Sequence, residues 1–146
     1  MIFKRWFAPK WQHKDAAVRQ QAIAGLNVDA QHKEILHELA FNDGHEAVRR
    51  AALEKLNEFS LWWQASKQDN AERLKQYAEA QLVQMVLENR ISAPLKRQFI
   101  EECHRSSILE KLAQTEMDAD IRFSLIMRLK KTDLVLANVQ QDLFSL

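Results

Sequence analysis

The chain has 146 residues, a formal net charge of +1 and a hydrophobic fraction of 47%. A domain of this size buries enough surface to fold without metals or disulfides, and its near-neutral charge lacks the overall basic excess that is typical of nucleic-acid-binding proteins. Only two glycines and two prolines interrupt the chain, which argues against sheets joined by tight hairpins and favours long helices with short connections.

The amino terminus does not have the composition of a targeting segment. Charged residues and a proline, among them Lys4, Arg5 and Pro9, leave no apolar stretch of the length that a secretory signal requires. The chain has no run of about 18 apolar residues that could cross a bilayer, and its one cysteine, Cys103, cannot form an internal disulfide. We therefore expect a single cytoplasmic domain spanning residues 1–146.

One pattern of residues recurs along the chain. An acidic or polar residue is followed three positions later by an apolar–basic dipeptide, and then by apolar residues at helical spacing. Residues three and four apart share one face of a helix, so each copy predicts an amphipathic helix. The four dipeptides are Val18-Arg19, Val48-Arg49, Leu95-Lys96 and Ile121-Arg122.

A further apolar helix is predicted before three of these copies. Its apolar residues end eight positions before the apolar residue of the following dipeptide. Two amphipathic helices can bury both of their stripes only by packing on each other and on neighbouring units, so the pattern predicts stacked helix pairs. The corresponding sets are Ile35, Leu36, Leu39 and Ala40; Leu82, Val83, Val86 and Leu87; and Ile108, Leu109, Leu112 and Ala113.

The predicted units lie at about residues 1–28, 29–67, 68–105 and 106–131, with a partial unit at 132–146. Successive dipeptides are 30, 47 and 26 positions apart, so the middle interval contains an insert. Helical spacing through Leu56, Phe59 and Trp63 predicts that the insert lengthens both helices of one hairpin, which would project around a turn at residues 67–70. A final helix is predicted to begin at Thr132.

The spaced Asp, Val-Arg, Ala and Leu on the second helix of a pair resemble HEAT repeats, and the resemblance covers most of the chain. It implies an all-α fold, namely a right-handed α-α superhelix (a HEAT-like solenoid) of about four helix pairs with one lengthened hairpin. Proteins with HEAT-like repeats are most often interaction scaffolds, so the resemblance also implies a binding role.

Two short segments carry a narrower resemblance. Residues 10–15 (KWQHKD) and 39–44 (LAFNDG) are similar to the amino-terminal region of large bacterial proteins that consist largely of helical repeats classed as domains of unknown function. This resemblance implies that the chain is the amino-terminal part of a longer protein, and it brings no catalytic residues. The apolar end at Leu143, Phe144 and Leu146 fits either truncation or a homo-oligomeric contact through a solenoid end.

One position of the repeat carries a base in every copy: Arg19, Arg49, Lys96 and Arg122. Asp15 and Asp118 stand four positions before two of these bases, a spacing that gives a surface pair worth about 0.2–0.5 kcal/mol. An arginine at this position could also reach a carboxylate or a carbonyl of the next unit. We interpret the six residues as a structural ladder, with ligand binding as the alternative.

Aromatic and basic residues alternate near the amino terminus. The candidate partner-binding residues of this segment are Lys4, Arg5, Trp6, Lys10 and Trp11. Rings and cations together can bind the bases and phosphates of a nucleic acid, or they can lie in a lipid interface. The alternative is that the rings cover the open end of a helix stack.

Trp62 is the remaining candidate for partner binding. Adjacent residues of a helix point about 100° apart, so if Trp63 continues the apolar stripe, Trp62 points away from it at the base of the predicted hairpin. An exposed tryptophan is a favoured anchor for a protein partner. The alternative is contact with a neighbouring helix of the same chain.

No set of residues predicts catalysis or a metal site. The five histidines lack the HExxH spacing of zinc sites, and two glycines cannot supply a phosphate-binding loop. Cys103 falls on an apolar position of the repeat, so we expect a buried, unreactive thiol. The expected protein has no cofactor and no enzymatic activity.

The leading hypothesis is a non-catalytic scaffold that binds a protein partner through a solenoid surface. Nucleic-acid binding is the alternative, and it rests on the recurrent Arg and Lys positions and on the basic, aromatic amino terminus. It would relate the chain to the HEAT-like proteins that act on damaged DNA. Peripheral membrane contact through residues 1–14 and self-association through apolar solenoid ends are weaker hypotheses.

Overall fold

A computed structural model of the chain describes the backbone of residues 8–144 and the side chains of residues 8–131. Over this range the chain is all-helical, which confirms the predicted all-α class. A short 3-10 turn, Lys10–Gln12, precedes the α-helices. The helices are α1 (Ala16–Ala24), α2 (Ala30–Asn42), α3 (Glu46–Leu56), α4 (Phe59–Gln68), α5 (Glu72–Leu87), α6 (Ala93–Glu102), α7 (Ser106–Thr115) and α8 (Ala119–Phe144).

The chain divides into two compact units, with the boundary between Leu82 and Val83 inside α5. In the first unit α1 and α2 both pack on α3, and in the second unit α6 and α7 both pack on α8. In each unit, therefore, two helices that carry the repeat pattern lie side by side, and the helix between them in sequence pairs with the second. The expectation of a single domain stays a prediction.

The apolar positions of the repeat form the core of each unit. Val48, Ala52 and Leu56 are buried along α3, and Ile121 and Leu125 are buried along α8. Full burial of a leucine or isoleucine side chain contributes about 1.5–3 kcal/mol relative to exposure. The helical spacing of these residues therefore determines which face of each helix turns inwards.

The insert in the middle of the chain does not lengthen a hairpin, so that prediction is wrong. Helix α3 ends at Leu56, because Asn57 adopts a left-handed backbone conformation with φ 48°. Asparagine tolerates this conformation better than most residues and commonly terminates helices in it. Phe59 therefore begins a new helix, α4, and the apolar stripe that was predicted to run through Leu56, Phe59 and Trp63 is divided between two helices.

The insert is instead a helix pair of its own. The turn between α4 and α5 lies at residues 69–71, close to the predicted turn at 67–70. In α5, Leu74, Ala78 and Leu82 are buried, and they stand 26 positions after Val48, Ala52 and Leu56. Helix α5 thus carries a further copy of the repeat, with Lys75 at the basic position.

No helix begins at Thr132, so the predicted start of a partial unit there is wrong. The backbone of α8 is helical from Ala119 to Phe144 without interruption. This segment contains neither glycine nor proline, and a threonine inside a helix costs only a fraction of a kcal/mol relative to alanine. A residue that is favourable at a helix start does not break a helix by itself.

Candidate partner-binding surface

Three of the recurring bases, Arg19, Arg49 and Lys96, bind carboxylates that end the first helix of the next pair. Arg49 donates from Nε and Nη2 to the two carboxylate oxygens of Asp69 at 2.9 and 3.0 Å. Its Nη2 also donates to Oδ1 of Asn70, and its Nη1 to the carbonyl oxygen of Asp43, both at 3.0 Å. The side chains of Arg49 and Asp69 are both buried, so this pair, which we call a rung, joins two helix pairs inside the protein.

Two further rungs repeat this arrangement, one with an arginine and one with a lysine. Arg19 donates from Nε and Nη2 to the carboxylate of Asp43 at 2.9 and 3.0 Å, and its Nη1 donates to two carbonyl oxygens of the preceding turn. Lys96 donates from Nζ to Oε2 of Glu116 at 2.9 Å, and also to Oδ1 of Asn89. Each base thus connects the turn before its own helix with the carboxylate of the next pair.

Each rung carboxylate also caps the turn in which it lies. An oxygen of each carboxylate accepts a hydrogen bond from the backbone N–H two residues later, at 2.9 Å for Asp43, 2.9 Å for Asp69 and 3.1 Å for Glu116. The sequence contains a signal for these acceptors that the recurrence of the bases alone does not reveal. Each of the three acids stands six positions before the basic position of its own repeat copy.

The rung carboxylates of Asp43 and Glu116 hold their protons less tightly than ordinary carboxyl groups. Burial alone would raise the pKa of Asp43, but hydrogen bonds from Arg19 and from a backbone N–H outweigh burial and lower it. Burial alone would also raise the pKa of Glu116, but hydrogen bonds from Lys96 and from a backbone N–H outweigh burial and lower it. Both rungs are therefore ion pairs at neutral pH.

Asp15 and Asp118 do not make the ion pairs that their spacing suggests. The carboxylate of Asp15 accepts a hydrogen bond from the backbone N–H of Ala17 at the start of α1. The carboxylate of Asp118 accepts from the backbone of Asp120 and Ile121 at the start of α8. Both are helix caps, because a helix leaves its first N–H groups without internal partners.

Trp62 is not a surface anchor; it contacts a neighbouring helix of the same chain, as the alternative interpretation expects. Its side chain is 1% exposed, its Nε1 donates to Oδ1 of Asn57 at 3.1 Å, and its ring packs edge-on against Tyr77. Trp63, which was predicted to be core, is half-buried beside Lys67. The burial of the two rings is the reverse of the prediction, because α4 begins after the break at Asn57.

The amino-terminal candidates lie largely outside the described residues. Lys4, Arg5 and Trp6 precede them. Lys10 is exposed in the 3-10 turn, and the half-buried ring of Trp11 lies against His32 with ring centroids 6.0 Å apart. Trp11 therefore covers part of the first unit, as the alternative interpretation of this segment expects.

Arg122 differs from the three bases that form rungs. It is exposed on α8 and forms no ion pair with a residue in the range 8–131. Ile126, four residues later on the same face, is 44% exposed. We call Arg122 and Ile126 the α8 stacking face. The residues at the position of Ile126 in the three rung helices, each 1% exposed, are Ile23, Leu53 and Ile100.

A second exposed surface of α8 is formed by Phe123 and Met127, which are 65% and 50% exposed. The two side chains lie about 100° around the helix from the stacking face. Large apolar side chains here replace polar or small ones at the same positions of the other pattern helices. The replaced residues are Gln20 and Ala24 on α1, Arg50 and Glu54 on α3, and Arg97 and Glu101 on α6.

Phe123 and Met127 line a groove, the α8 groove, with a volume of about 740 Å³, which is within the range of pockets that hold ligands or partner side chains. Its other lining residues are Ile100, Glu101, Ser124, Arg128, Lys130 and Lys131. Arg128 is held in place, since its Nε donates to the carbonyl oxygen of Cys103 at 3.2 Å. The floor is thus apolar, and its rim carries more positive than negative charge.

Cys103 was predicted to be buried, and this prediction is wrong. Cys103 follows the end of α6 and is half-buried, because the helix ends one residue before the repeat position at which the thiol was expected to turn inwards.

In the described part of the chain, no group of three or more His, Cys, Asp or Glu side chains is placed to hold a metal ion. None of the helices described is both long and apolar enough to cross a membrane.

No family model, curated protein or solved structure matches this chain. The resemblance to HEAT repeats therefore stays a prediction from the sequence. The surfaces on α8 are assigned from their geometry alone.

Proposed function

We propose that the protein is a non-catalytic scaffold that binds a protein partner in the α8 groove. The observation that carries this proposal is the presence of Phe123 and Met127, both exposed, at positions that are polar or small in the other pattern helices. Large exposed apolar side chains on a solenoid-like surface are favourable contacts for a partner, because burying them releases water from apolar surface.

The partner that suits this groove is a segment with apolar side chains and a net negative charge. Lys130 and Lys131 are exposed on the rim, and Arg128 is fixed beside them. Glu101 is the acidic residue among the lining side chains. Opposite charge on a partner would speed association and fix its orientation on the apolar floor.

The finer features of this proposal come from the sequence. We include a HEAT-like superhelical stacking of the helix pairs and a cytoplasmic location. The stacking is supported by the rungs, in which a base of one pair binds a carboxylate of the next. The same rungs account for the recurrence of Arg19, Arg49 and Lys96, on which the alternative of nucleic-acid binding rested.

The proposal is tested by affinity purification with the full chain as bait. The double variant Phe123→Ser, Met127→Ser should lose a partner that wild-type protein retains in constant stoichiometry from extracts of the cells that make it. Gln20→Ser is the matched control, since Gln20 occupies the position of Phe123 on α1 and is exposed. Calorimetry with the purified partner should show an affinity reduced at least about tenfold for the double variant.

Circular dichroism separates loss of binding from loss of folding. All the altered side chains are exposed, so the melting curves of both variants should match that of wild-type protein. A folded double variant with unchanged affinity would exclude the α8 groove as the site. If the wild-type bait retains no partner at all, the scaffold function itself fails.

A further inference from the structure

We infer that the α8 stacking face is a second docking site, which receives a helix pair of another protein whose first helix ends on an aspartate or glutamate. This inference concerns a face other than the α8 groove and goes beyond the proposed function. Its basis is the repetition of the rung. Three bases at one repeat position each bind such a carboxylate, and Arg122 occupies the same position on α8. Among residues 8–131, Lys75 on α5 forms no rung, and it lacks the apolar part of this unit, because the residue four positions later is Glu79.

The apolar part of the stacking face repeats in the same way. Ile126 stands four positions after Arg122, and its equivalents Ile23, Leu53 and Ile100 are completely covered inside the protein, whereas Ile126 is open. A base and an aliphatic residue at this spacing thus form a unit that is covered elsewhere in the chain, where Arg49 and Lys96 are buried and Arg19 is half-buried. A docked helix pair would bury both, and its carboxylate would accept from the guanidinium of Arg122 as Asp43 accepts from Arg19.

A second copy of the chain does not supply the required carboxylate. In the rungs, the acid stands six positions before the base of its own copy, as Asp43 stands before Arg49. The residue six positions before Arg19 is His13, whose Nδ1 accepts from the backbone N–H of Asp15 as the rung acids do for their turns. Stacking α1 of one copy on α8 of another would therefore oppose Arg122 with an imidazole.

The probe for this site is a helix pair whose rung is known. A second copy of residues 29–58, which contains α2, α3 and Asp43, is appended to the full chain through a Gly/Ser linker of about 20 residues. Such a linker reaches roughly 25 Å and gives an effective concentration on the order of 1 mM. A parallel fusion appends residues 104–131, whose Glu116 binds Lys96 in the protein.

Docking is measured by the rate at which maleimide labels a cysteine. In a Cys103→Ala background, Ile126→Cys reports on the stacking face and Phe123→Cys on the α8 groove. The appended pair should slow labelling at position 126 by at least about tenfold and leave position 123 nearly unchanged, because the equivalents of Phe123 stay exposed on stacked helices. Asp43→Ala in the appended copy, or Arg122→Gln in the chain, should restore fast labelling.

Four outcomes overturn the inference. The first is that neither fusion slows labelling at position 126. The second is that the Asp43→Ala copy slows labelling as much as the unaltered copy does. The third is that labelling slows in proportion to protein concentration without an appended pair, which would indicate self-association. Protection of position 123 instead of 126 contradicts the stacking site, while the groove and its partner are judged by the separate affinity experiment. Circular dichroism of the fusions should report the added helix before labelling begins.

Discussion

At the scale of single residues, the rungs are the features that connect sequence and stability most directly. The guanidinium of Arg49 is buried, and its hydrogen bonds are satisfied by Asp69, Asn70 and a backbone carbonyl. A buried charge that keeps its partner is close to neutral for stability, but one that loses its partner is strongly destabilising. The rungs therefore specify how helix pairs align more than they add free energy.

Removal of one rung carboxylate should reveal this asymmetry. We expect Asp69→Ala to lower the free energy of unfolding by about 3–5 kcal/mol, because Arg49 is left buried and unpaired. The double variant Arg49→Met, Asp69→Ala should recover much of this loss. Urea unfolding at pH 7 measures both, with Glu58→Ala as the control, since Glu58 pairs with Lys33 at the surface. That control should cost under about 1 kcal/mol, and an equal loss for Asp69→Ala would show that the substitution does not leave Arg49 buried and unpaired.

The lowered pKa values of Asp43 and Glu116 predict how stability depends on pH. A carboxyl group with a lower pKa in the folded state stabilises the protein above its ordinary pKa of about 4, and this contribution is lost as pH falls through the folded-state value. Stability should therefore decrease as pH is lowered from about 5 to 2. Asp43→Asn should be less stable at pH 7 and show a smaller decrease in this window. Equal slopes for variant and wild-type protein in urea unfolding at several pH values would refute the assignment.

At the scale of elements, the division of the insert into two helices depends on one residue. Asn57 ends α3 in the left-handed conformation, and its side chain accepts the hydrogen bond from the indole of Trp62. The break turns the first residues of α4 so that Trp62, and not Trp63, faces inwards. The break at Asn57, together with the packing around it, thus determines which of two adjacent rings contributes to the core.

Substitution at Asn57 tests the left-handed conformation. Asn57→Ala should be less stable than Asn57→Gly by about 1 kcal/mol, because a Cβ is unfavourable at positive φ and both variants lose the side-chain acceptor. Gly44→Ala is the control, since Gly44 does not have a positive φ and an added Cβ would meet nothing within 4 Å. The control should be neutral or slightly stabilising in thermal unfolding. If Asn57→Ala equals Asn57→Gly, the left-handed conformation does not terminate α3.

At the scale of the whole molecule, α8 combines two open surfaces on one helix. Its α8 groove carries apolar side chains at positions that are polar elsewhere, and its stacking face exposes a residue that is buried elsewhere. Neither property follows from the composition of α8 alone, because amphipathic helices of many kinds contain phenylalanine, isoleucine and arginine. Both become visible when each position is compared with its equivalents in the other pattern helices.

Much of the fold could be predicted from the sequence. The period of the apolar residues determines the all-α class and the buried face of each pattern helix, as at Val48 and Ala52, because three- and four-residue spacing leaves one stripe to bury. The recurrence of a base at one position likewise indicated a ladder. Two features could not be predicted, namely the division of the insert into two helices and the continuity of α8 through Thr132. The left-handed conformation of Asn57 and the uninterrupted α8 both depend on the packing around them.

The sequence by itself determined the helical class, the repeat and the positions of the bases, because these depend on local spacing along the chain. Only the tertiary structure decided which acids the bases bind, since Asp43, Asp69 and Glu116 lie 20 or more positions away in sequence. It also decided that Trp62 is core and that Phe123 and Ile126 are exposed. Exposure is a property of the neighbours that cover a side chain, and those neighbours come together only when the helices pack.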